Sequence, residues 1–103
     1  LTLIHCEDFA LLADAVAELT RAGRTSLRHY AASRPIVSEV VATQRAVAIA
    51  EATGAPVYVV HLSCERALAV CAEAGAAKAP RAAATSSDAK RRVILVPPRD
   101  AAG

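Results

Sequence analysis

The chain has few aromatic residues and no methionine or tryptophan. Its 103 residues include two tyrosines and one phenylalanine, although 54% of the sequence is hydrophobic. Much of that hydrophobic content is alanine, and a core of alanine, valine and leucine buries less area per residue than one with aromatic rings. The length allows one domain at most. We therefore expect either a modest helix-rich domain or a piece of something larger.

Long apolar runs, a leader peptide and a basic surface stripe are also missing. No run approaches the ~18 residues of a membrane span, and the chain opens without a charged segment of the signal-peptide type. Since it begins with a strand-like run and not with Met, we expect the natural N-terminus upstream. The net charge is only +2, without the aromatic-interleaved basic stripe of a nucleic-acid-binding surface. These features predict a cytoplasmic protein that binds neither membranes nor nucleic acid.

Cysteine pairs of the zinc-binding type are absent as well. Cys6, Cys64 and Cys71 are odd in number and form no CxxC pair. Cys64 and Cys71 lie seven residues apart, so they can share a helix face without reaching a common zinc ion. We interpret all three as reduced thiols that pack as small apolar residues.

Two short runs of β-favouring residues predict strands. Residues 1–5 (LTLIH) are typical of a buried strand that ends at a polar residue, and residues 57–60 (VYVV) predict a second strand. The second run has no polar alternation, which suits a parallel strand covered on both faces. An apolar patch at residues 93–96 (VILV) is a further candidate strand.

Three segments have apolar residues at helical spacing. They cover residues 7–22, 36–53 and 64–74, with Gly23 and Gly54 as stop signals and Ser63 as N-cap of the third. The expected buried stripes are Leu11, Leu12, Val16 and Leu19 in the first helix and Val37, Val40, Val41, Val47 and Ala48 in the second. The order strand-helix-helix-strand-helix predicts an α/β fold with a parallel sheet.

A histidine follows each predicted strand, and this repetition is the main functional signal. His5 and His61 both lie at strand carboxyl ends, where function gathers in parallel α/β folds. Neutral imidazole is a common zinc ligand, so the pair predicts a shared metal; a packed or solvated strand-end histidine is the alternative for each. Glu7 is either an acceptor for His5 or, the interpretation we favour, a charge in the first helical turn. His29 is expected to be exposed in a polar loop.

These residues carry a resemblance to a known family. "HCED" after a strand, then "SRP" and "E…AT.RA…A…TGAPVYVVHLS" in the same order, resemble the cyclic amidohydrolases. The hydantoinase and dihydropyrimidinase branch is the most similar, with allantoinase as a cousin. The resemblance covers about residues 1–75, as an internal fragment.

The resemblance implies a (β/α)₈ barrel of the TIM type with a two-metal, usually dizinc, site. His5 and His61 match two histidines that bind one metal, which a carboxylated lysine bridges to a second ion held by an HxH pair and an aspartate. A hydroxide shared by the metals attacks the amide carbonyl of a small cyclic substrate such as a hydantoin or dihydropyrimidine, and the aspartate shuttles the proton. A homo-oligomer, a tetramer, is implied for the complete protein.

Most of that machinery has no counterpart in this sequence. No HxH pair occurs, and neither the lysines at 78 and 90 nor the aspartates at 88 and 100 have the context of the family's functional residues. With two of six expected ligands and no catalytic residue, the chain alone is expected to be inactive and to bind zinc weakly.

The last segment, residues 76–103, departs from the family pattern. Residues 76–92 are rich in alanine, arginine and serine with little periodicity, which favours a linker-like or disordered segment and suggests truncation or a shifted reading frame. Besides the hydrolase, two other hypotheses stay open: a non-catalytic scaffold relative, and a truncated reading frame without a function of its own. Retention of both His5 and His61 argues against the scaffold.

Overall fold

The structure is a computed structural model that describes residues 1–76 and 94–96. Its fold is mixed α/β. The elements in chain order are β1 (Thr2–Ile4), α1 (Phe9–Arg21), a 3₁₀ helix (Leu27–Ser33), α2 (Ile36–Thr53), β2 (Val57–Val59), α3 (Glu65–Ala76) and β3 (Ile94–Val96). The expected order of strands and helices is confirmed, and α2 has the expected bounds. The polar connection before α2 adds the 3₁₀ helix, which the sequence did not predict.

The sheet has three strands in the order β1-β2-β3. β1 and β2 are parallel, with Thr2 opposite Val57 and Ile4 opposite Val59, as the alternation of strands and helices predicts. β3 confirms a strand within the apolar patch at 93–96, but it pairs with β2 in the antiparallel direction. The described sheet is therefore mixed, whereas the resemblance implies parallel neighbours only. The linker-like or disordered stretch expected at residues 76–92 lies outside the described residues, except that α3 ends at Ala76.

The core lies between the sheet and the helices α2 and α3. Its buried residues come from the loop after β1, from α2, from β2 and from α3. They are Cys6, Ala46, Val47, Ala50, Val57, Val59, Cys71 and Ala74. Side chains alternate across a strand, so Ile4 and Val59 turn toward these helices while Leu3 and Tyr58 lie on the opposite face. The core is thus one-sided within the described part of the chain.

The expectation that both strands are buried was wrong for β1. Leu3 keeps 65% of its surface exposed, because in the described part of the chain β1 pairs only with β2 and no helix covers its outer face. Tyr58 of β2 is only half-buried for the same reason, so β2 is not covered on both faces.

The buried stripes of the first two helices also differ from those expected. α1 has no buried residue, and Val16 is 45% exposed, because α1 packs chiefly against the small 3₁₀ helix. In α2, Val40 and Val47 are buried as expected, whereas Val37 and Ala48 are exposed. The remaining positions facing inward are small or polar: Ser38, Thr43, Ala46 and Ala50. A stripe chosen by hydrophobicity misses them, because small side chains are selected where elements approach closely.

The N-terminal caps of α1 and α3 show which residues of the loops after β1 and β2 lie outside these helices. Asp8 caps α1 by accepting hydrogen bonds from the backbone N–H groups of Ala10 and Leu11. Glu7 therefore lies outside the helix and not in its first turn. At α3 the cap is Cys64, whose sulfur accepts from Ala67 N–H at 3.4 Å, and not Ser63. None of the described helices is long and apolar enough to cross a membrane.

Candidate functional site

The structure brings His5 and His61 into direct contact. Nδ1 of His5 lies 2.7 Å from Nε2 of His61, and the two rings meet edge to face with their centroids 4.6 Å apart. The parallel register produces this contact, because Ile4 is opposite Val59 and each histidine follows its strand within two residues. Both side chains are exposed to solvent at the carboxyl end of the sheet.

The backbone of His61 adopts an unusual conformation. Its φ is +38°, which makes it the single non-glycine residue with positive φ in the described part of the chain. A left-handed conformation costs a non-glycine residue on the order of 1–3 kcal/mol and persists where neighbouring contacts hold it. One such contact precedes it: the N–H of Val60 donates to the carbonyl of Ile4 at 3.1 Å. The turn that directs the imidazole is therefore tied to β1.

Glu7 holds the outer nitrogen of His5. Its Oε2 lies 3.0 Å from Nε2 of His5, and its Oε1 lies 3.9 Å from Nε of Arg34. Arg34 in turn stacks over the ring of Tyr30 at 5.1 Å. The interpretation of Glu7 as a helix-turn charge was wrong, and the alternative, an acceptor for His5, describes its contact.

These contacts determine which nitrogens carry protons. When neutral His5 donates its Nε2–H to Glu7, its Nδ1 is an acceptor, so His61 donates Nε2–H across the 2.7 Å contact. A metal held between the same two nitrogens requires His61 to carry its proton on Nδ1 instead. The His5 tautomer is thus already suited to a metal, whereas that of His61 must change.

A second carboxylate, Glu39, holds the turn after His61. Its Oε1 accepts the backbone N–H groups of Ser63 at 2.8 Å and Cys64 at 3.1 Å, and its Oε2 accepts the Ser63 hydroxyl. Partial burial alone would raise the pKa of Glu39, but the hydrogen bonds from Ser63 and Cys64 outweigh it and lower the pKa below its ordinary value. The sequence reasoning missed this residue. The one sequence signal for Glu39 was its position as the first residue of the run that resembles the family and ends in HLS.

Two buried thiols lie behind the site. Burial raises the pKa of Cys6, and it raises that of Cys71 to about 11. The Glu39 carboxylate adds to both shifts, while the nearby Thr43 hydroxyl opposes the shift at Cys6. The buried Thr43 hydroxyl has no hydrogen-bond partner among the described residues. Cys6 and Cys71 are core residues, as expected of small apolar side chains, and all three cysteines are free.

The third histidine lies elsewhere. His29 is half-buried, not exposed as expected, because it lines an open groove of about 430 Å³ between α1 and the 3₁₀ helix. Neither His5 nor His61 lines that groove. This groove is therefore separate from the histidine pair.

The histidine pair fits a metal ion in donor type but not in donor number. Two imidazole nitrogens face one another, and a neutral imidazole nitrogen is a donor that zinc would accept. No group of three or more His, Cys, Asp or Glu side chains among residues 1–76 and 94–96 is arranged to hold a metal. The described residues thus place two candidate donor nitrogens together, one fewer than the number of ligands that a catalytic zinc usually takes from protein.

Comparison with known proteins gives partial relatives. No protein-family model matches the chain. A protein named allantoinase from Solibacter usitatus is 37% identical over 71 residues, which are 69% of this chain and 16% of that protein. D-phenylhydantoinases of Escherichia coli strains, among them O1:K1 / APEC and O139:H28, are 44% identical over 64 residues, 61% of this chain and 14% of theirs.

These relatives support a cyclic amidohydrolase family over the matched segment. The chain spans about one-sixth of the length of the relatives that it matches. The similarity therefore concerns a segment of their sequence and not their whole architecture, and the barrel and the two-metal site stay predictions.

Proposed function

We propose that this segment carries half of a zinc site of a hydrolase that opens small cyclic amides of the hydantoin or dihydropyrimidine type. The observation that carries the proposal is the contact of Nδ1 of His5 with Nε2 of His61 at the ends of two parallel strands. The names of the partial relatives, allantoinase and D-phenylhydantoinase, supply the substrate class. A cytoplasmic location and a homo-oligomer, a tetramer, are part of the same proposal for the complete protein.

In the proposed site His5 and His61 are the ligands. Glu7 keeps the proton of His5 on Nε2 and thereby leaves Nδ1 free to bind. The His61 turn holds the second nitrogen opposite the first. When bound, zinc supplies a nucleophile near neutral pH and polarises the amide carbonyl. Arg34, whose Nε lies 3.9 Å from Oε1 of Glu7, offsets part of the negative charge of this carboxylate beside His5.

We further propose that the chain by itself is catalytically inactive. Its described residues give a metal two ligands, and a catalytic zinc usually takes three from protein. The scaffold and truncated-frame hypotheses predict inactivity too. Only the hydrolase hypothesis predicts that the two histidines act together on a metal.

The test is a zinc titration of the chain followed by NMR of the histidine side chains. We expect weak binding that perturbs His5 and His61 together and is lost in His5→Ala and in His61→Ala. His29→Ala is the matched control, because His29 lies in a separate groove and its loss is expected to leave binding unchanged. Hydrolysis of hydantoin and dihydrouracil should be undetectable.

Two results would contradict the proposal in different ways. Equal zinc binding in all three variants would show that the pair is no metal site. Tight stoichiometric binding abolished by His61→Ala would instead overturn the statement that this chain binds zinc weakly.

A further inference from the structure

The contact between Glu39 and the turn after β2 joins two distant parts of the chain. Glu39 lies in the first turn of α2, 24 residues before Ser63. One carboxylate oxygen accepts both backbone N–H groups, those of Ser63 and Cys64, while the other accepts the Ser63 hydroxyl. Each oxygen has its own hydrogen-bond partners, so the carboxylate holds the turn in one orientation.

These bonds begin two residues after His61, and another lies immediately before it. The N–H of Val60 donates to the carbonyl of Ile4, the residue before His5. His61 is thus between two anchors, one to β1 and one to α2. Its φ of +38° is uncommon for a residue other than glycine.

We propose that Glu39 is a positioning residue that holds the His61 turn so that Nε2 of His61 faces Nδ1 of His5. The anchor to Ile4 fixes the end of β2, and Leu62 packs against the core. The Glu39 contact adds hydrogen bonds at Ser63 and Cys64 and so fixes the far end of the turn that carries His61. Its consequence for ring contact stands on the structure alone, and its consequence for zinc affinity rests on the proposed function.

The test compares three variants of the full chain. Glu39→Ala removes both carboxylate oxygens that accept hydrogen bonds from Ser63 and Cys64. Glu39→Gln keeps one oxygen, which can accept both backbone N–H groups, and its amide can donate to the Ser63 hydroxyl, so it is expected to restore the turn. Glu51→Ala is the matched control, since Glu51 lies on the same helix about 18 Å along its axis at 1.5 Å per residue.

Two readouts separate positioning from stability alone. The first is the nuclear Overhauser effect between the His5 and His61 rings in the metal-free chain, which reports the contact directly. The second is the affinity for zinc of the folded protein, with folding verified by circular dichroism. We expect Glu39→Ala to lose the ring contact and to bind zinc roughly 10- to 100-fold more weakly, the range for residues that orient metal ligands. Glu39→Gln and Glu51→Ala should resemble the parent chain in both.

Each outcome either supports or overturns the positioning role of Glu39. The inference is overturned if folded Glu39→Ala keeps the ring contact, or if Glu39→Gln loses it as fully as alanine does. If the parent chain binds no zinc at all, the proposed function fails, while the ring contact still tests the role of Glu39. Should Glu39→Ala not fold, hydrogen exchange of the parent chain decides: unprotected Ser63 and Cys64 amides would overturn the inference, and protected amides together with an intact Glu39→Gln ring contact would support it.

Discussion

At the scale of single residues, burial changes the acidity of the core thiols. Cys71 has no exposed surface, and Cys6 is 4% exposed. The interior of a protein disfavours a thiolate, so both pKa values rise, that of Cys71 from 9.0 to about 11. The folded chain therefore retains thiol protons at a pH where the unfolded chain has lost them.

Alkaline pH should consequently destabilise this protein through Cys71. Its stabilising contribution is complete below pH 9 and is lost between pH 9 and about pH 11, because in that range the folded state binds more protons than the unfolded state. Two pKa units correspond to roughly 2 to 3 kcal/mol. We expect urea unfolding at pH 7, 9 and 10.5 to show this decline, and Cys71→Ala to reduce it. Cys64→Ala is the control, and an equally steep decline in Cys71→Ala would contradict the prediction.

The sequence was informative about which residues meet and much less so about what orients them. His5 and His61 could be paired because both follow strand-like runs, and parallel strands end at a common edge. The roles of Glu7 and Glu39 depend on where helices begin. Moving the first residue of α1 from Glu7 to Phe9 converts a helix-turn charge into a partner of His5. Such shifts of one or two residues are within the uncertainty of any helix boundary.

At the scale of elements, Gly23 and Gly75 differ in backbone conformation but not in the space around them. Gly23 follows α1 with φ of +67°, and Gly75 lies within α3. A Cβ added at either position meets no atom within 4 Å. Space therefore does not distinguish them, and backbone conformation does.

Alanine at these two positions should have opposite effects on stability. Gly23→Ala forces a side chain into the left-handed region and should destabilise by about 1 kcal/mol. Gly75→Ala improves helix propensity and should stabilise, but by less than the roughly 0.5–1 kcal/mol of a helix interior, because Gly75 is the next-to-last residue of α3. Each substitution is the control for the other, since both add one methyl group in open space, and urea denaturation measures the difference. If both substitutions change the free energy of unfolding in the same direction, the turn at Gly23 has relaxed to accommodate the alanine side chain.

Element type was easier to predict than element environment. α2 was recognised at its observed bounds because Pro35 and Gly54 mark its two ends. The inward face of α2 was not, since Ser38 and Thr43 are fully or nearly fully buried and hydrophobicity gives no signal for them. The burial of β1 was overestimated because apolar sequence indicates that a strand can be covered, but it does not say that a neighbour is present.

At the scale of the whole molecule, the sheet face away from the helices exposes apolar side chains of β1. Leu3 and Tyr58 are opposite one another in the register and lie on that face. Leu1 is 70% exposed beside them. Within the described part of the chain, β1 also leaves one edge without a strand partner. An apolar strand with an open edge is a template for pairing with another chain.

We therefore expect the chain to self-associate through β1 as its concentration rises, with a second copy of β1 as the partner. Leu3→Lys places a charge on the open face and should shift sedimentation velocity profiles toward the monomer. Ile49→Lys is the matched control, because Ile49 is 57% exposed on α2 and loses the same kind of apolar side chain away from the strand. If both variants reduce association equally, general hydrophobicity and not the β1 edge is responsible. If neither does, the open face of β1 does not bind a second copy.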